Sequence, residues 1–200
     1  MSEYAGLSAE RAEVAYYMRR LYMKDLTSCT GGNISMRTGT GRVLITPASL
    51  DKGELKEDEI LLFSPEGDNL TPNKNIRATI ELGMHLSIYQ ARPDVMAVVH
   101  AHPVFATSFS CIDAGIETAL TPEAGMVLGK TAAVGYFPAG SAELAAATAE
   151  SLRDADVTVM RNHGATTVGP AMFKAYSRLE MLENCAKMTW IAATMARSRP

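Results

Sequence analysis

The stretch Val95–Pro103, "VMAVVHAHP", is short, rich in β-branched residues and bracketed by Pro93 and Pro103. These features predict a buried strand, because a helix needs a longer run and tolerates fewer flanking prolines. The strand ends in two of the chain's four histidines, His100 and His102. Residues i and i+2 of a strand point to one face, about 7 Å apart along the backbone. Two imidazoles placed this way either converge on one metal ion or close a core with polar groups at the strand end.

The flanking sequence places that strand in a layered domain. Before it, "ATIELGMHLSIYQA" (78–91) has helical periodicity and stops at "RPD"; after it, "VFATSFS" starts a helix behind Pro103. Toward the N-terminus, residues 8–24 form an amphipathic helix with Ser8 as its N-cap. A glycine-rich turn, "TSCTGGNISMR", then leads into an alternating strand. "RVLIT" is its hairpin partner, and "ILLFSP" is a strand closed by the turn "PEGD". Toward the C-terminus, "AAVGYF" is a strand and "SAELAAATAESL" a helix capped by Ser141. "DVTVMRNHGATTVG" reads as strand, turn and strand. A long helix, "PAMFKAYSRLEMLENCAKMTWIAATMA", carries Pro170 in its first turn. The order lacks the regular βαβ spacing of a doubly wound fold. It predicts a single three-layer α/β/α domain over residues 1–200 with a mainly antiparallel central sheet.

Composition narrows the function classes. The chain is 47% apolar and 20% charged, with a net charge of −3 and no long basic run. No nucleic-acid or anionic-membrane surface is expected. No apolar run approaches the roughly 20 residues that span a bilayer. "MSEYAGLSAER" has no basic region followed by an apolar stretch, so no signal peptide is expected. Cys29, Cys111 and Cys185 are odd in number and far apart, which fits reduced thiols and a cytoplasmic protein.

Two further residues bear on the histidine pair. His163, in "VMRNHGAT", follows a β-rich run and precedes a glycine that permits a tight turn. It is either a third ligand, completing the three that a catalytic zinc site needs, or a turn histidine bonded locally. Glu81, early in the helix before the H-x-H strand, is either a nearby carboxylate or a helix-start residue answering the macrodipole. His85 lies one turn after Glu81 on the same helix face and is read as a core histidine, with a supporting partner as the alternative.

Taken together, "TGGNIS", Thr46–Pro47, Glu81 followed by "HAH", and "NHG" at 162–164 resemble the class II aldolase/adducin family from about residue 8 to 195. That resemblance implies a divalent metal, usually zinc, with manganese or cobalt also tolerated. It makes His100, His102 and His163 the ligands. Glu81 becomes the catalytic acid/base, able also to ligate the metal. The implied reaction is cleavage of a small ketose 1-phosphate, such as L-fuculose 1-phosphate, to dihydroxyacetone phosphate and an aldehyde. It proceeds through a zinc-stabilised enediolate, with Glu81 moving the proton at carbon. A glutamate at this position leans to the aldolases, since the 4-epimerases of the family carry aspartate there. Metal-dependent decarboxylation of a keto or hydroxy acid is the alternative reading. A non-enzymatic adducin-like module fits less well, because such members lack the metal histidines. The resemblance further implies a homotetramer.

Phosphate binding is implied at Thr30, Gly31, Gly32, Asn33, Ser49 and Thr79. A glycine-rich turn offers backbone N–H groups to an anion, or serves only as a hairpin lead-in. The family's "TP[ST]G" turn here reads "TPAS", and its two serines before the glutamate read Thr79–Ile80. Arg77 lies at the same corner and is read as a surface residue or as a partner for phosphate or carboxylate. Thr121 stands near the position of a family tyrosine that donates a proton, and the family's C-terminal tail tyrosine has no counterpart in the sequence.

Overall fold

The computed structural model describes residues 3–72 and 75–198. The outermost residues of the expected 1–200 domain, including Met1 and Pro200, lie outside the described part. Seven strands among the described residues form one open sheet: β1 (Asn33–Arg37), β2 (Val43–Ile45), β3 (Leu61–Phe63), β4 (Ala97–Ala101), β5 (Thr131–Val134), β6 (Val157–Met160) and β7 (Gly164–Gly169). Their order is β3-β2-β1-β4-β7-β6-β5. Every pairing is antiparallel except β5 with β6. "VMAVVHAHP" therefore supplies the middle strand, with His100 opposite Asn33 on one side and Thr166 on the other.

Helices cover both faces. They are α1 (Glu3–Gly6), α2 (Ser8–Met23), α3 (Leu82–Ala91), α4 (Val104–Cys111), α5 (Pro122–Leu128), α6 (Ala142–Ser151) and α7 (Met172–Arg197). On one face Val14, Met18, Leu128, Tyr176 and Leu179 pack against Ile34, Leu44 and Val99. On the other, Met84 and Ile88 of α3 and Leu144 of α6 pack against Val43, Val98 and Val168. The period of two along β4 explains the division: Ala97, Val99 and Ala101 join the first core and Val98 the second. His100 shares the phase of Val98, so its ring falls on the α3 side, at the sheet end where α3 begins.

The structure departs from the sequence expectations at several boundaries. Ser8 does not cap α2. The ladder starts one residue earlier, where Arg11 N–H donates to the Leu7 carbonyl at 3.0 Å, and Leu7 has no polar side chain with which to cap. Helix α3 begins at Leu82 and not at Ala78, and Glu81 is its N-cap residue. Residues 78–80 instead run beside the Thr46–Pro47 turn, with a β-bridge between Pro47 and Ala78. Strand β5 stops at Val134, before Gly135. Pro170 precedes the cap residue Ala171 and lies outside α7. Helix α5 was unforeseen, although its signal was present: Thr121 Oγ1 accepts from Ala124 N–H, and Pro122 occupies the first turn.

Candidate active site

Three segments distant in sequence meet at one end of the sheet. His100 is the penultimate residue of β4, and His102 lies just past its end, before Pro103. His163 sits in the β6–β7 turn, and Glu81 occupies the N-cap position of α3 with its side chain directed to the cluster. The close approach has a local cause. A Cβ on Gly164 would collide with the Ala101 carbonyl oxygen and lie 2.7 Å from His102 Cδ2, so only glycine lets the turn reach the end of β4. The expected role of Gly164 in permitting a tight turn is thus corrected. The left-handed residue of that turn is Asn162, with φ of 54°. Gly31 and Gly32 play a similar part for the glycine-rich loop. A Cβ on Gly31 would lie 2.9 Å from His102 Nδ1, and one on Gly32 2.8 Å from the His100 carbonyl oxygen.

The three imidazoles present converging nitrogens, all within 4.8 Å of one another. His100 Nδ1 lies 3.0 Å from the Ala165 carbonyl, which can only accept. The proton is therefore on Nδ1, and Nε2 faces the centre as a bare lone pair. His102 Nε2 is 3.2 Å from His100 Nε2. Glu81 closes the cluster, with Oε2 3.2 Å from His100 Nε2 and Oε1 3.1 Å from His163 Nε2. Although His163 is near, Glu81 Oε1 is buried without a well-formed hydrogen bond. Three nitrogens and a carboxylate oxygen facing one another in a buried site repel unless a cation lies among them. This N₃O donor set fits a borderline divalent ion.

The ionisation states agree. Burial alone would raise the Glu81 carboxyl, but imidazoles at His100 and His163 that carry a proton, standing where a cation would, and the Asn33 amide hold it well below the usual carboxylate range. Burial, aided by His100 and His163, lowers His102 to about 4. A deprotonated carboxylate beside a neutral imidazole is the form that binds metal.

Asn33 and Thr79, expected at the phosphate, are brought together behind Glu81. Asn33 Nδ2 donates to Glu81 Oε2 at 2.8 Å and to Thr79 Oγ1 at 3.2 Å. Thr79 Oγ1 also accepts from Glu81 N–H. Thr30 and Ser49 are exposed on the loops that rim this corner. Ala48 N–H donates to the Arg77 carbonyl at 2.9 Å, which ties the "TPAS" turn to the segment leading into Glu81. Ser49 has φ of 59°, so it adopts the left-handed conformation that suits the family's glycine. Ile80 is 72% exposed. Thr121 Oγ1 accepts from Ala124 N–H at 3.2 Å as the α5 cap. His85 is fully buried and bonded to Asn33 and Ser35, and burial lowers its pKa to about 3.

Sequence reasoning missed Lys52, a side chain only 1% exposed whose ammonium donates to the Pro47 carbonyl beneath this corner. Its signal was faint, a lone lysine in "SLDKGE". A cavity of about 220 Å³ opens beside Glu81, between the starts of α3 and α6, walled by Ile80, Met84, Gly140 and Leu144.

An α/β/α layer that gathers three imidazoles and one carboxylate at a sheet end defines a class of proteins equipped for divalent-metal chemistry. Within that class the comparison with known proteins is specific. The family model for the class II aldolase and adducin N-terminal domain matches residues 12–190, and the chain belongs to this family. It is 39% identical over 173 residues to the L-fuculose phosphate aldolase of Methanococcus maripaludis, covering 86% of this chain and 92% of that protein. It is 30% identical to the 3-oxo-tetronate 4-phosphate decarboxylase of Pectobacterium atrosepticum, covering 94% and 88%. The crystal structure of L-fuculose-1-phosphate aldolase from Thermus thermophilus superposes with a TM-score of 0.84 at 26% identity, covering 96% of this chain and 98% of that one.

Proposed function

We propose that this protein is a metal-dependent aldolase that cleaves a small ketose 1-phosphate, with L-fuculose 1-phosphate as the lead substrate, to dihydroxyacetone phosphate and an aldehyde. The observation that carries the reading is the convergence of buried Glu81 and His100 with the partly exposed His102 and His163. His100, His102 and His163 would hold the ion, zinc by preference, with Glu81 as a fourth ligand until substrate enters. When bound, a divalent ion supplies Lewis-acid stabilisation of the negative charge that develops on substrate oxygens as the carbon–carbon bond breaks. Glu81 moves the proton at the carbon that leaves that bond, and Asn33 holds the carboxylate in place. The backbone N–H groups of the Thr30–Asn33 loop, with Ser49 at the same corner, receive the phosphate.

A second reading, decarboxylation of a phosphorylated keto acid, has one specific support. Ala48 and Ile80 replace hydroxyl donors, and the exposed Arg77 at that corner suits a carboxylate. Both relatives named above act on phosphate esters, so the two readings share the phosphate corner.

A homotetramer is inferred from the family together with the apolar surface of α7, and a cytoplasmic setting from the three free cysteines. No helix among the described residues is long and apolar enough to cross a membrane.

The test measures release of dihydroxyacetone phosphate from L-fuculose 1-phosphate and of carbon dioxide from 3-oxo-tetronate 4-phosphate, before and after chelation. Dihydroxyacetone phosphate release that chelator abolishes and zinc restores is the expected result. Carbon dioxide release alone would transfer the assignment to the decarboxylase.

A further inference from the structure

Behind the centre runs a buried chain of polar side chains that the reaction above does not draw on beyond Asn33. Tyr89 Oη lies 2.8 Å from Ser35 Oγ, which lies 2.7 Å from His85 Nδ1. His85 Nε2 lies 2.6 Å from Asn33 Oδ1, and Asn33 Nδ2 lies 2.8 Å from Glu81 Oε2. All five side chains are buried, and Ser35 and His85 have no exposure. The Arg37 guanidinium lies over the Tyr89 ring, 4.7 Å from its centroid, at the far end.

One end sets the direction of the whole chain. A carboxylate only accepts, so Asn33 presents its NH₂ to Glu81 and its oxygen to His85. That oxygen only accepts, so His85 carries its proton on Nε2. Nδ1 is then the acceptor, the Ser35 hydroxyl donates to it, and the Tyr89 hydroxyl donates to Ser35. Reversing any link sets two donors or two acceptors face to face in a buried site, and an unpaired buried group costs about 1–3 kcal/mol. Thr79 strengthens the same arrangement by accepting the second Asn33 proton.

We propose that His85 is a positioning residue for Glu81: locked as the Nε2–H tautomer, it orients the Asn33 amide so that Glu81 Oε2 is tied down and Oε1 carries the reacting proton. The inference rests on the proton-transfer role proposed for Glu81. It gives a role to a histidine that the sequence leaves as core filling. It also explains why a helix so close to the centre turns an imidazole away from the other three. The carboxylate must stay still while its free oxygen works, and tolerances at such sites are about half an ångström.

Two measurements test this. Nitrogen-15 NMR of histidine-labelled, zinc-loaded protein reads the tautomer without any turnover. For His85, assigned by loss of its signals in His85→Gln, a protonated Nε2 and a bare Nδ1 are expected. A protonated Nδ1 would overturn the proposal whatever the enzyme's substrate proves to be. The second measurement compares kcat, KM and zinc content for His85→Leu and His85→Gln on L-fuculose 1-phosphate. His85→Leu is expected to lower kcat roughly ten- to hundredfold, the range for partners of a metal-site residue, with KM and zinc content held. His85→Gln, whose amide supplies an N–H near the former Nε2, is expected to recover most of that loss. Equal loss of kcat in both variants, or a loss that follows zinc content, would reduce His85 to a structural role. Wild-type protein without turnover would count against the proposed function, while the tautomer still decides this inference.

Discussion

At the residue scale, two buried ionisable groups behave oppositely. Glu81 is held as a carboxylate by hydrogen-bond donors and imidazoles around it. Glutamine is nearly isosteric but cannot move a proton, so Glu81→Gln is expected to lower kcat by roughly 10²–10⁴, the usual worth of a positioned acid/base, with the melting temperature little changed. Wild-type kcat in that variant would remove Glu81 from the chemistry, and loss of bound zinc would make it mainly a ligand.

Lys52 is the contrasting case. Burial lowers its pKa from 10.5 to about 8. Between pH 8 and 10.5 the unfolded chain holds this proton more tightly than the folded one, so stability rises with pH across that window and the penalty is fully present below it. The contribution is about 3 kcal/mol at 1.36 kcal/mol per pKa unit. Lys52→Met removes the titration. The stability difference between variant and wild type, read from urea unfolding, is therefore expected to shift toward wild type by about that much from pH 7.5 to 10.5. A pH-independent difference would mean that folding leaves the Lys52 ammonium at its ordinary pKa.

At the element scale, the centre depends on how closely β4, the β6–β7 turn and the start of α3 approach. The H-x-H pair was legible because a strand's period of two is a local property. Its meaning was not, since His163 and Glu81 reach it only through the β4–β7 pairing and the α3 packing. Gly164 is the clearest example. It reads as a turn glycine, yet its φ is ordinary and the constraint is the Ala101 carbonyl of the neighbouring strand. Gly164→Ala must push β7 from β4, and neither backbone can yield without losing ladder bonds. We expect it to destabilise the fold by roughly 1–3 kcal/mol, as overpacked sites do, and to lower zinc occupancy in the protein that still folds. Unchanged zinc content by elemental analysis would show that the cluster tolerates a wider gap.

Helix boundaries erred for the same kind of reason. Ala78–Ile80 continue the helical periodicity of α3, but Ala78 pairs with Pro47 and Ala48 N–H with the Arg77 carbonyl, so Ala78 is held in a β-bridge and the chain turns at Ile80 before the helix starts. Tertiary bonds to the "TPAS" turn outweigh a modest local helix preference.

At the scale of the whole molecule, α7 extends beyond the sheet it packs on. From Ile191 to Ser198 every residue is exposed, and Trp190, Ile191 and Met195 are among the large apolar side chains left uncovered. The Trp190 ring meets Phe105 of α4 at a centroid distance of 5.8 Å, so the patch continues onto the neighbouring helix. Light scattering is expected to show a tetramer at micromolar concentration. Ile191→Glu with Met195→Glu is expected to weaken it while leaving the circular-dichroism spectrum unchanged, since neither side chain enters the monomer core. A monomeric wild type would end the tetramer proposal.

By itself the sequence determined what depends on near neighbours in the chain: the middle strand and its two same-face histidines, the layered α/β/α class, the antiparallel bias, the helix cap at Ser141, and the motifs that carry the family resemblance. The tertiary structure alone decided what depends on distance through space. It closed the fourth side of the cluster with Glu81 as an N-cap, and it turned Asn33 and Thr79 inward to hold that carboxylate. It assigned the glycine at 164 to a close approach, and it placed His85 at the back of the site with both ring nitrogens bonded. The reason is physical. Periodicity and capping act over one or two turns of chain, while the orientation of a buried polar side chain is chosen by partners that must be satisfied together. Here Asn33 lies 48 residues from Glu81 and 52 from His85.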